Sequence, residues 1–111
     1  MNGYYEIKPA KNNKYVFNLK AGNHEVILSS QVYESKSSVM TGIASVRQHG
    51  PKKEFYEKKT SESGQPFFVL KAANGQVIGK SEMYESESGR DNGIASVITN
   101  SPSKEIKEIT E

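Results

Sequence analysis

The chain has 111 residues, a formal net charge of +2 and no cysteine. This length suits one small domain with a core, and the lack of cysteine excludes disulfides, thiolate metal sites and cysteine nucleophiles. The N-terminus lacks a basic stretch followed by an apolar one, and no apolar run approaches the roughly 20 residues that span a bilayer. We therefore expect a cytoplasmic protein without a membrane segment.

The sequence repeats itself. Residues 4–51 align with residues 55–102 at an offset of 51, and 21 of these 48 positions are identical. A fixed period of this kind is the signature of a duplicated structural unit, and a unit of about 50 residues is marginal on its own. We expect a single domain over residues 1–111 with one shared core. Duplication also explains why residues recur without any common chemistry.

The first predicted strand of each repeat begins with two adjacent aromatic residues. Either Tyr4 and Phe55 point into the core, or Tyr5 and Tyr56 do. Alternation at a period of two fits both choices, so the sequence does not decide which pair of aromatic residues points into the core.

The second and third strands of each repeat form a predicted hairpin. In repeat two, Asn74-Gly75 separates two apolar runs, and Asn-Gly is a strong hairpin signal because both residues tolerate positive φ. Repeat one has Asn23-His24 at this place. Histidine adopts positive φ less readily than glycine, so we expect a looser turn there.

The second strand of each repeat has one core face and one face that is free for binding. Phe17 and Leu19, like Phe68 and Leu70, recur at the period of two expected of a buried face. The residues between and beside them belong to the opposite face: Val16, Asn18, Lys20, Phe67, Val69 and Lys71.

A helix is predicted after the strands of each repeat. Ser35 or Ser37 can cap the first, and Ser86 or Ser88 the second. Apolar residues then recur at spacings of three and four, at Val39, Met40, Ile43 and Val46, and at Ile94, Val97 and Ile98.

Glycines and charged residues modify these two helices. Gly42 and Gly93 lie inside them, which indicates close packing against the sheet. Because Gly89 weakens the first turn and Arg90 and Asp91 replace apolar residues, we expect the second helix to begin later than the first.

A partial third copy of the repeat follows the second helix. Residues 104–108 read Lys-Glu-Ile-Lys-Glu, against Lys-Glu-Phe-Tyr-Glu at residues 53–57. We therefore expect a closing strand at about residues 104–110.

Three short motifs recur in both repeats. They are Leu-Lys-Ala followed by an Asn turn and Val-Ile, then Ser-x-x-Tyr-x-Ser, then Gly-Ile-x-Ser-Val, at Leu70–Ile78, Ser81–Ser86 and Gly93–Val97 and at Leu19–Ile27, Ser30–Ser35 and Gly42–Val46. This combination covers nearly the whole chain and resembles the YegP-like family of small uncharacterised bacterial proteins.

The resemblance implies an α+β fold of two tandem β(3)-α-β repeats in one mostly antiparallel sheet, with two helices on one face. It also implies that the repeats exchange their C-terminal strands, so that residues 53–58 end repeat one and begin repeat two. Residues 104–109 then return to pair with repeat one. The family has no established activity, so no function follows from the resemblance.

The sequence predicts no catalytic site, no metal site and no cofactor. The two histidines, His24 and His49, have no His or Cys at ligand spacing, and we expect both at the surface. One enzyme hypothesis uses Glu34 and Glu85, which recur beside tyrosines, but it requires a pocket that raises a carboxylate pKa. Packed tyrosines with solvent-facing glutamates are the preferred interpretation.

The sheet face without helices is the predicted binding surface. We expect a non-enzymatic interaction module that binds through this face, with Lys20, Phe67, Val69 and Lys71 foremost in the contact. The sequence does not identify the partner, and a small apolar patch there favours another protein or a second copy of the chain. The alternative is a single-stranded nucleic acid, because aromatic residues flanked by lysines can stack bases and hold phosphates. A single repeat would need a second copy to complete its fold, whereas the duplicated chain contains both repeats. We therefore expect a monomer.

Overall fold

The computed structural model describes residues 3–109, which form seven β-strands and two α-helices. In chain order these are β1 Tyr4–Ala10, β2 Lys14–Lys20, β3 Val26–Ser29, α1 Lys36–His49, β4 Tyr56–Thr60, β5 Pro66–Lys71, β6 Val77–Lys80, α2 Glu87–Asn100 and β7 Ile106–Glu108. Two short 3₁₀ turns, Lys11–Asn13 and Lys53–Phe55, precede β2 and β4.

One sheet contains all seven strands, in the order β4-β5-β6-β3-β2-β1-β7. Neighbours are antiparallel except β1 and β7, which run parallel with Tyr5 opposite Ile106. The tail therefore returns to repeat one, while β4 follows α1 directly and opens repeat two, which confirms the predicted fold. Of the predicted closing strand, residues 106–108 pair with β1, and residue 110 lies outside the described residues.

Both helices pack on the same face of the sheet. Ile43 and Val46 of α1 and Val97 of α2 are fully buried in one cluster with Phe17 and Phe68 of the sheet. Burial of each such side chain contributes about 1.5–3 kcal/mol. Because both repeats contribute to this cluster, neither has a core of its own.

Tyr5 and Tyr56 are the strand residues that point towards the helices, while Phe55 lies in the 3₁₀ turn before β4 and also packs against the core, with its ring centroid 4.7 Å from that of His49. Tyr5 is fully buried, and Tyr56 packs against the same cluster. Each lies opposite a core leucine of the neighbouring strand. Tyr4 is also buried, but strand alternation places it on the opposite face of the sheet.

Gly42 and Gly93 lie where the helices pack closely against the sheet and against the tyrosines that precede each helix. A Cβ atom on Gly42 would lie 2.6 Å from Cζ of Tyr33 and 3.1 Å from the ring of Phe17. Gly93 has the equivalent neighbours, with Cζ of Tyr84 at 2.7 Å from such an atom. The recurrent tyrosines therefore cover the recurrent glycines, so packing accounts for both motifs.

The prediction that the second helix begins later than the first is wrong. α2 begins at Glu87, at the offset of 51 from the start of α1. Ser86 caps it, accepting a hydrogen bond from the backbone N–H of Gly89 at 3.0 Å. Arg90 takes the place of Val39 and is itself buried, with its guanidinium 3.7 Å from the Glu87 carboxylate. The cap and this ion pair stabilise the first turn of α2, although that turn has no apolar residues facing the core.

The prediction of a looser turn in repeat one is also wrong. His24 adopts a φ of 71° where Gly75 has 87°. Both turns close with the same bond, since His24 N donates to Ala21 O and Gly75 N to Ala72 O, each at 2.9 Å. The histidine ring is also held at Nδ1 by the hydroxyl of Tyr4 at 3.0 Å, a contact outside the turn that offsets the cost of the positive φ.

Neither helix is a candidate for a membrane span. Each has 14 residues, and within residues 3–109 no helix has both the length and the apolar character needed to cross a bilayer.

Candidate interaction surfaces

The sheet face opposite the helices, called the open face below, carries an excess of lysine. Alternation from the buried Phe17 and Phe68, extended through the strand register, assigns seven lysines and two glutamates to it. These are Lys8, Lys14, Lys20, Lys59, Lys71, Lys80 and Lys107, with Glu6 and Glu57. The whole chain has a net charge of only +2, so positive charge is concentrated on the open face.

Five of the seven lysines form ion pairs, and their partners are Glu34 and Glu105 beside the open face as well as Glu6 and Glu57 on it. Lys20 Nζ lies 3.2 Å from Glu6 Oε2, and Lys71 Nζ lies 2.6 Å from Glu57 Oε1. The hydrogen bond from Lys71, together with the charge of Lys59, holds the pKa of the Glu57 carboxyl below its ordinary value. The Lys71–Glu57 pair is exposed, unlike the pair that the buried Glu6 forms. An exposed pair contributes about 0–1 kcal/mol, so a partner carboxylate can replace Glu57 at little cost.

Two aromatic rings on the open face are covered by lysines. Lys107 Nζ lies 4.4 Å from the ring centroid of Tyr4, and Lys80 Nζ lies 5.2 Å from that of Phe67. Both distances are within the range of cation–π attraction. Tyr4 is only 4% exposed. Neither ring therefore presents a free face on which a base could stack.

The six residues predicted for binding lie on the open face in two separate groups. Val16, Asn18 and Lys20 belong to β2, and Phe67, Val69 and Lys71 belong to β5. β3 and β6 lie between them, and three strand spacings separate the groups by about 14 Å. Val69 is only 5% exposed, whereas the others are half-buried.

Sequence reasoning missed the centre of the open face. A shallow groove of about 390 Å³ lies between the two groups. Its walls include Val26 and Val77, which are 36% and 43% exposed. The register shifts after Leu19 and Leu70, and these shifts turn the two valines to the open face. The recurrent Val-Ile pair was the only sequence feature that could have pointed to these valines. By itself, the pair does not show which of its two residues faces the core.

Glu34 and Glu85 face solvent, whereas the tyrosines that precede them turn towards the core. The Glu34 side chain is 82% exposed and forms an ion pair with Lys14 at 3.1 Å, and Glu85 is also exposed. Tyr33 and Tyr84 turn inward, where burial raises the pKa of both hydroxyls. Neither glutamate lies in the kind of buried setting that the enzyme hypothesis requires.

His49 is buried, which corrects the expectation of a surface residue. Its Nδ1 lies 2.8 Å from Ser45 O, and its Nε2 lies 3.2 Å from Ala73 N. A carbonyl only accepts and a backbone N–H only donates, so Nδ1 donates and Nε2 accepts. His24 is exposed, as expected. Within the described residues, no group of three or more His, Cys, Asp or Glu side chains could hold a metal ion.

A second surface, the edge groove, lies between β4 and α2. Its volume is about 600 Å³, and its lining residues are Lys53, Tyr56, Glu57, Lys58, Asp91, Ile94, Ala95 and Ile98. An ion pair between Lys58 Nζ and Asp91 Oδ1, at 3.2 Å, joins its strand wall to its helix wall. The hydrogen bond from Lys58 is the main reason why the pKa of the Asp91 carboxyl is lowered. No sequence motif pointed to this groove.

Comparison with known proteins confirms the predicted resemblance. The family described as a domain of unknown function, DUF1508, matches the chain twice, over residues 10–57 and 61–108. The chain is 55% identical over 108 residues to the UPF0339 protein YegP of Yersinia pestis, with 97% of this chain and 96% of that protein covered. It is 49% identical over 110 residues to the UPF0339 protein YegP of Escherichia coli K12, with 99% and 100% covered.

Two solution NMR structures have the same fold. That of yegP from Escherichia coli, described as a protein of unknown function, matches with a TM-score of 0.91 at 49% identity, over 97% of this chain and 93% of that chain. The UPF0339 protein SO3888 from Shewanella oneidensis matches with a TM-score of 0.91 at 47% identity, over 97% and 92%. The chain therefore belongs to the YegP-like UPF0339 family, built from two tandem DUF1508 domains.

Proposed function

We propose that the protein is a non-enzymatic interaction module whose open face binds an acidic surface of a protein partner. The observation that carries this proposal is the excess of seven lysines over two glutamates on one face of the sheet. Electrostatic complementarity of this kind steers association and selects partners of the opposite charge.

The arrangement of the predicted residues supports a protein partner in particular. Lys20 lies opposite Val26, and Lys71 lies opposite Val77. Each repeat therefore presents a cation beside an exposed aliphatic side chain, which suits carboxylates that adjoin apolar residues. Phe67 is half-buried beneath Lys80 and Val69 is only 5% exposed, so the lysines and the exposed valines supply most of the contact surface.

A single-stranded nucleic acid is the second candidate, because the lysine excess also suits a phosphate backbone. Two features make it the weaker one. The rings of Tyr4 and Phe67 are already covered by lysines, and both arginines, Arg47 and Arg90, belong to the helices. The lysines can still contact phosphates, but the open face lacks the exposed aromatic rings on which single-strand binders stack bases.

The test is an amide chemical-shift titration of isotope-labelled protein with a peptide of alternating glutamate and leucine, and separately with a mixed-sequence single-stranded RNA. We expect the peptide to shift signals of residues 16–20, 67–71 and 77 saturably, and the shifts to weaken with salt. No saturable shift on the open face would contradict the proposal. Tighter, salt-dependent binding of the RNA there would favour the second candidate.

Matched variants locate the binding. The pair Lys71→Gln and Lys80→Gln removes two open-face charges and is expected to weaken peptide binding on the order of 2- to 30-fold. The pair Lys52→Gln and Lys104→Gln removes two exposed charges elsewhere and is expected to leave binding unchanged. Equal losses in both pairs would indicate attraction to net charge alone.

A further inference from the structure

The two repeats are equivalent at their first strands but differ in what lies outside them. The hydroxyl of Tyr5 donates to Ser101 O and that of Tyr56 to Gly50 O, both at 2.7 Å. These bonds are related by the offset of 51, so β1 and β4 occupy matching places. β7 lies outside β1, whereas β4 is the outermost strand of the sheet among residues 3–109.

β7 fills the space between β1 and α1. Ile106 packs against the core cluster. At one end of α1, Lys36 Nζ lies 2.6 Å from Glu108 Oε1, and at the other end Arg47 Nε donates to Ser103 O at 2.9 Å. The tail is therefore tied to both ends of the helix beside which it runs.

The edge groove is the matching space in repeat two. Its helix wall, Ile94 and Ile98, corresponds to Ile43 and Arg47 of α1 at the offset of 51. No described residue takes the place that Ile106 has in repeat one, and this accounts for the volume of about 600 Å³. Ile98 is half-buried there, so the groove offers apolar surface.

The backbone of β4 is prepared for a parallel strand. In repeat one, Ile7 O accepts a bond from Ile109 N at 2.8 Å. Its counterpart Lys58 O therefore points outward from the sheet edge, where an added strand can supply a donor. In repeat one the N–H of Tyr5 donates to Glu105 O, but the N–H of Tyr56 already donates to Lys53 O in the preceding 3₁₀ turn. An incoming strand therefore forms one bond fewer than β7 does and pairs from the carbonyl of Tyr56 onwards.

The charges beside the groove are the reverse of those in repeat one. α1 presents Lys36 to the acidic Glu108 of the tail. At the same place α2 has Glu87, whose side chain is 82% exposed, and Asp91 follows one turn later. A strand that suits repeat two therefore carries a basic residue where the tail carries Glu108.

We propose that the edge groove binds an extended segment of a partner protein, which adds to the sheet as a parallel strand beside β4. An aliphatic residue of that segment lies between Ile94 and Ile98, and a basic residue two positions later faces Glu87. The exposed ion pair between Lys58 and Asp91 yields at little cost. Main-chain bonds at a sheet edge supply affinity, and the pocket for alternate side chains supplies specificity. Apart from Glu57, the lining of this groove lies outside the open face, so the two proposals fail independently.

The test uses hexapeptides derived from residues 104–109. The probe KEIKKI, which carries Glu108→Lys, is expected to shift amide signals of residues 56–60 and 91–98 saturably. The unchanged sequence KEIKEI is expected to bind about two- to five-fold more weakly, since it places a carboxylate near Glu87. KESKKI, which lacks the aliphatic anchor, is expected to lose about ten-fold or more. Methylation of the last amide of KEIKKI removes the donor to Lys58 O and is expected to cost up to about ten-fold.

A protein variant locates the site. Ile98→Arg places in repeat two the residue that repeat one has at Arg47, so the fold is expected to tolerate it while the groove is filled. Binding of KEIKKI should then be lost, and Met40→Arg, at an exposed position on α1, should leave it intact. No binding of KEIKKI by the folded protein, binding unaffected by Ile98→Arg, or shifts confined to the open face would overturn the proposal. Equal binding of KEIKEI would overturn the assigned partner in favour of the tail of a second copy.

Discussion

Replacing Gly93 by alanine is expected to lower the free energy of unfolding, although alanine is the better helix former. In a helix interior alanine gains about 1 kcal/mol over glycine. Against this, the new Cβ would lie 2.7 Å from Cζ of Tyr84 and 3.2 Å from the ring of Phe68, and closer still to the Tyr84 hydroxyl. Overpacking costs about 1–3 kcal/mol, so we expect a net loss of up to about 2 kcal/mol.

Two further variants isolate the cause of this loss. Gly89→Ala lies in the same helix, but its Cβ would be 3.4 Å from Ser86 Oγ and 3.6 Å from Cδ1 of Tyr84, which is ordinary contact. It is expected to be neutral or stabilising. Tyr84→Phe removes the atom nearest to the new methyl group, so it should reduce the loss caused by Gly93→Ala. Urea unfolding with a constant m-value measures each difference. A Gly93→Ala protein as stable as the original would refute the argument that the tyrosine holds its position against the helix.

Other expectations concern the buried tyrosines and the state of association. Tyr5→Phe and Tyr56→Phe each remove a hydrogen bond to a helix-terminal carbonyl and are expected to cost about 1–2 kcal/mol in urea unfolding. If either variant matches the original, that bond does not stabilise the fold. Burial raises the pKa of both hydroxyls above the ordinary value of 10.0, so the folded state keeps protons that the unfolded chain releases. The resulting stability is complete below about pH 10 and is lost as the pH rises above it. Unfolding measured across this range should show the decline, and the double Phe variant should show less of it. Sedimentation at micromolar concentration is expected to give one species of 12.3 kDa, whereas a dimer would contradict the expected monomer and direct attention to the edge at β4.

The fold was predictable because the sequence patterns that identify each strand, turn and helix occur in both repeats. The alternation at Phe17 and Leu19 is repeated in β5, and the turn glycine at Gly75 marks a hairpin that repeat one shares despite His24. Apolar residues at helical spacing, with a capping serine before them, identify both helices. The return of the tail to β1 followed from the family resemblance, since no local pattern specifies which strand a short segment pairs with.

Long-range partners account for what the sequence did not predict. His49 is buried against repeat two, where Ala73, 24 residues away, donates to its ring. The buried Arg90 is the exception, because its partners Glu87 and Asp91 belong to its own helix. The two groups of predicted binding residues are separated because β3 and β6 meet at the centre of the sheet. Alternation assigns a residue to a face, but only the strand order decides which residues on that face are neighbours.

The covalent connection between the repeats makes the two edges of the sheet unequal. The segment after α2 is free to lie beside β1 and becomes β7. The segment after α1 cannot lie beside β4 in the same way, because after one 3₁₀ turn it continues into β4 itself. A continuous chain of two repeats therefore closes one groove and leaves its twin open, although the residues around both derive from the same unit. Two separate copies of one repeat could close both. The open groove is a consequence of joining the repeats, and the apolar wall at Ile94 and Ile98 suits it to a strand from another protein.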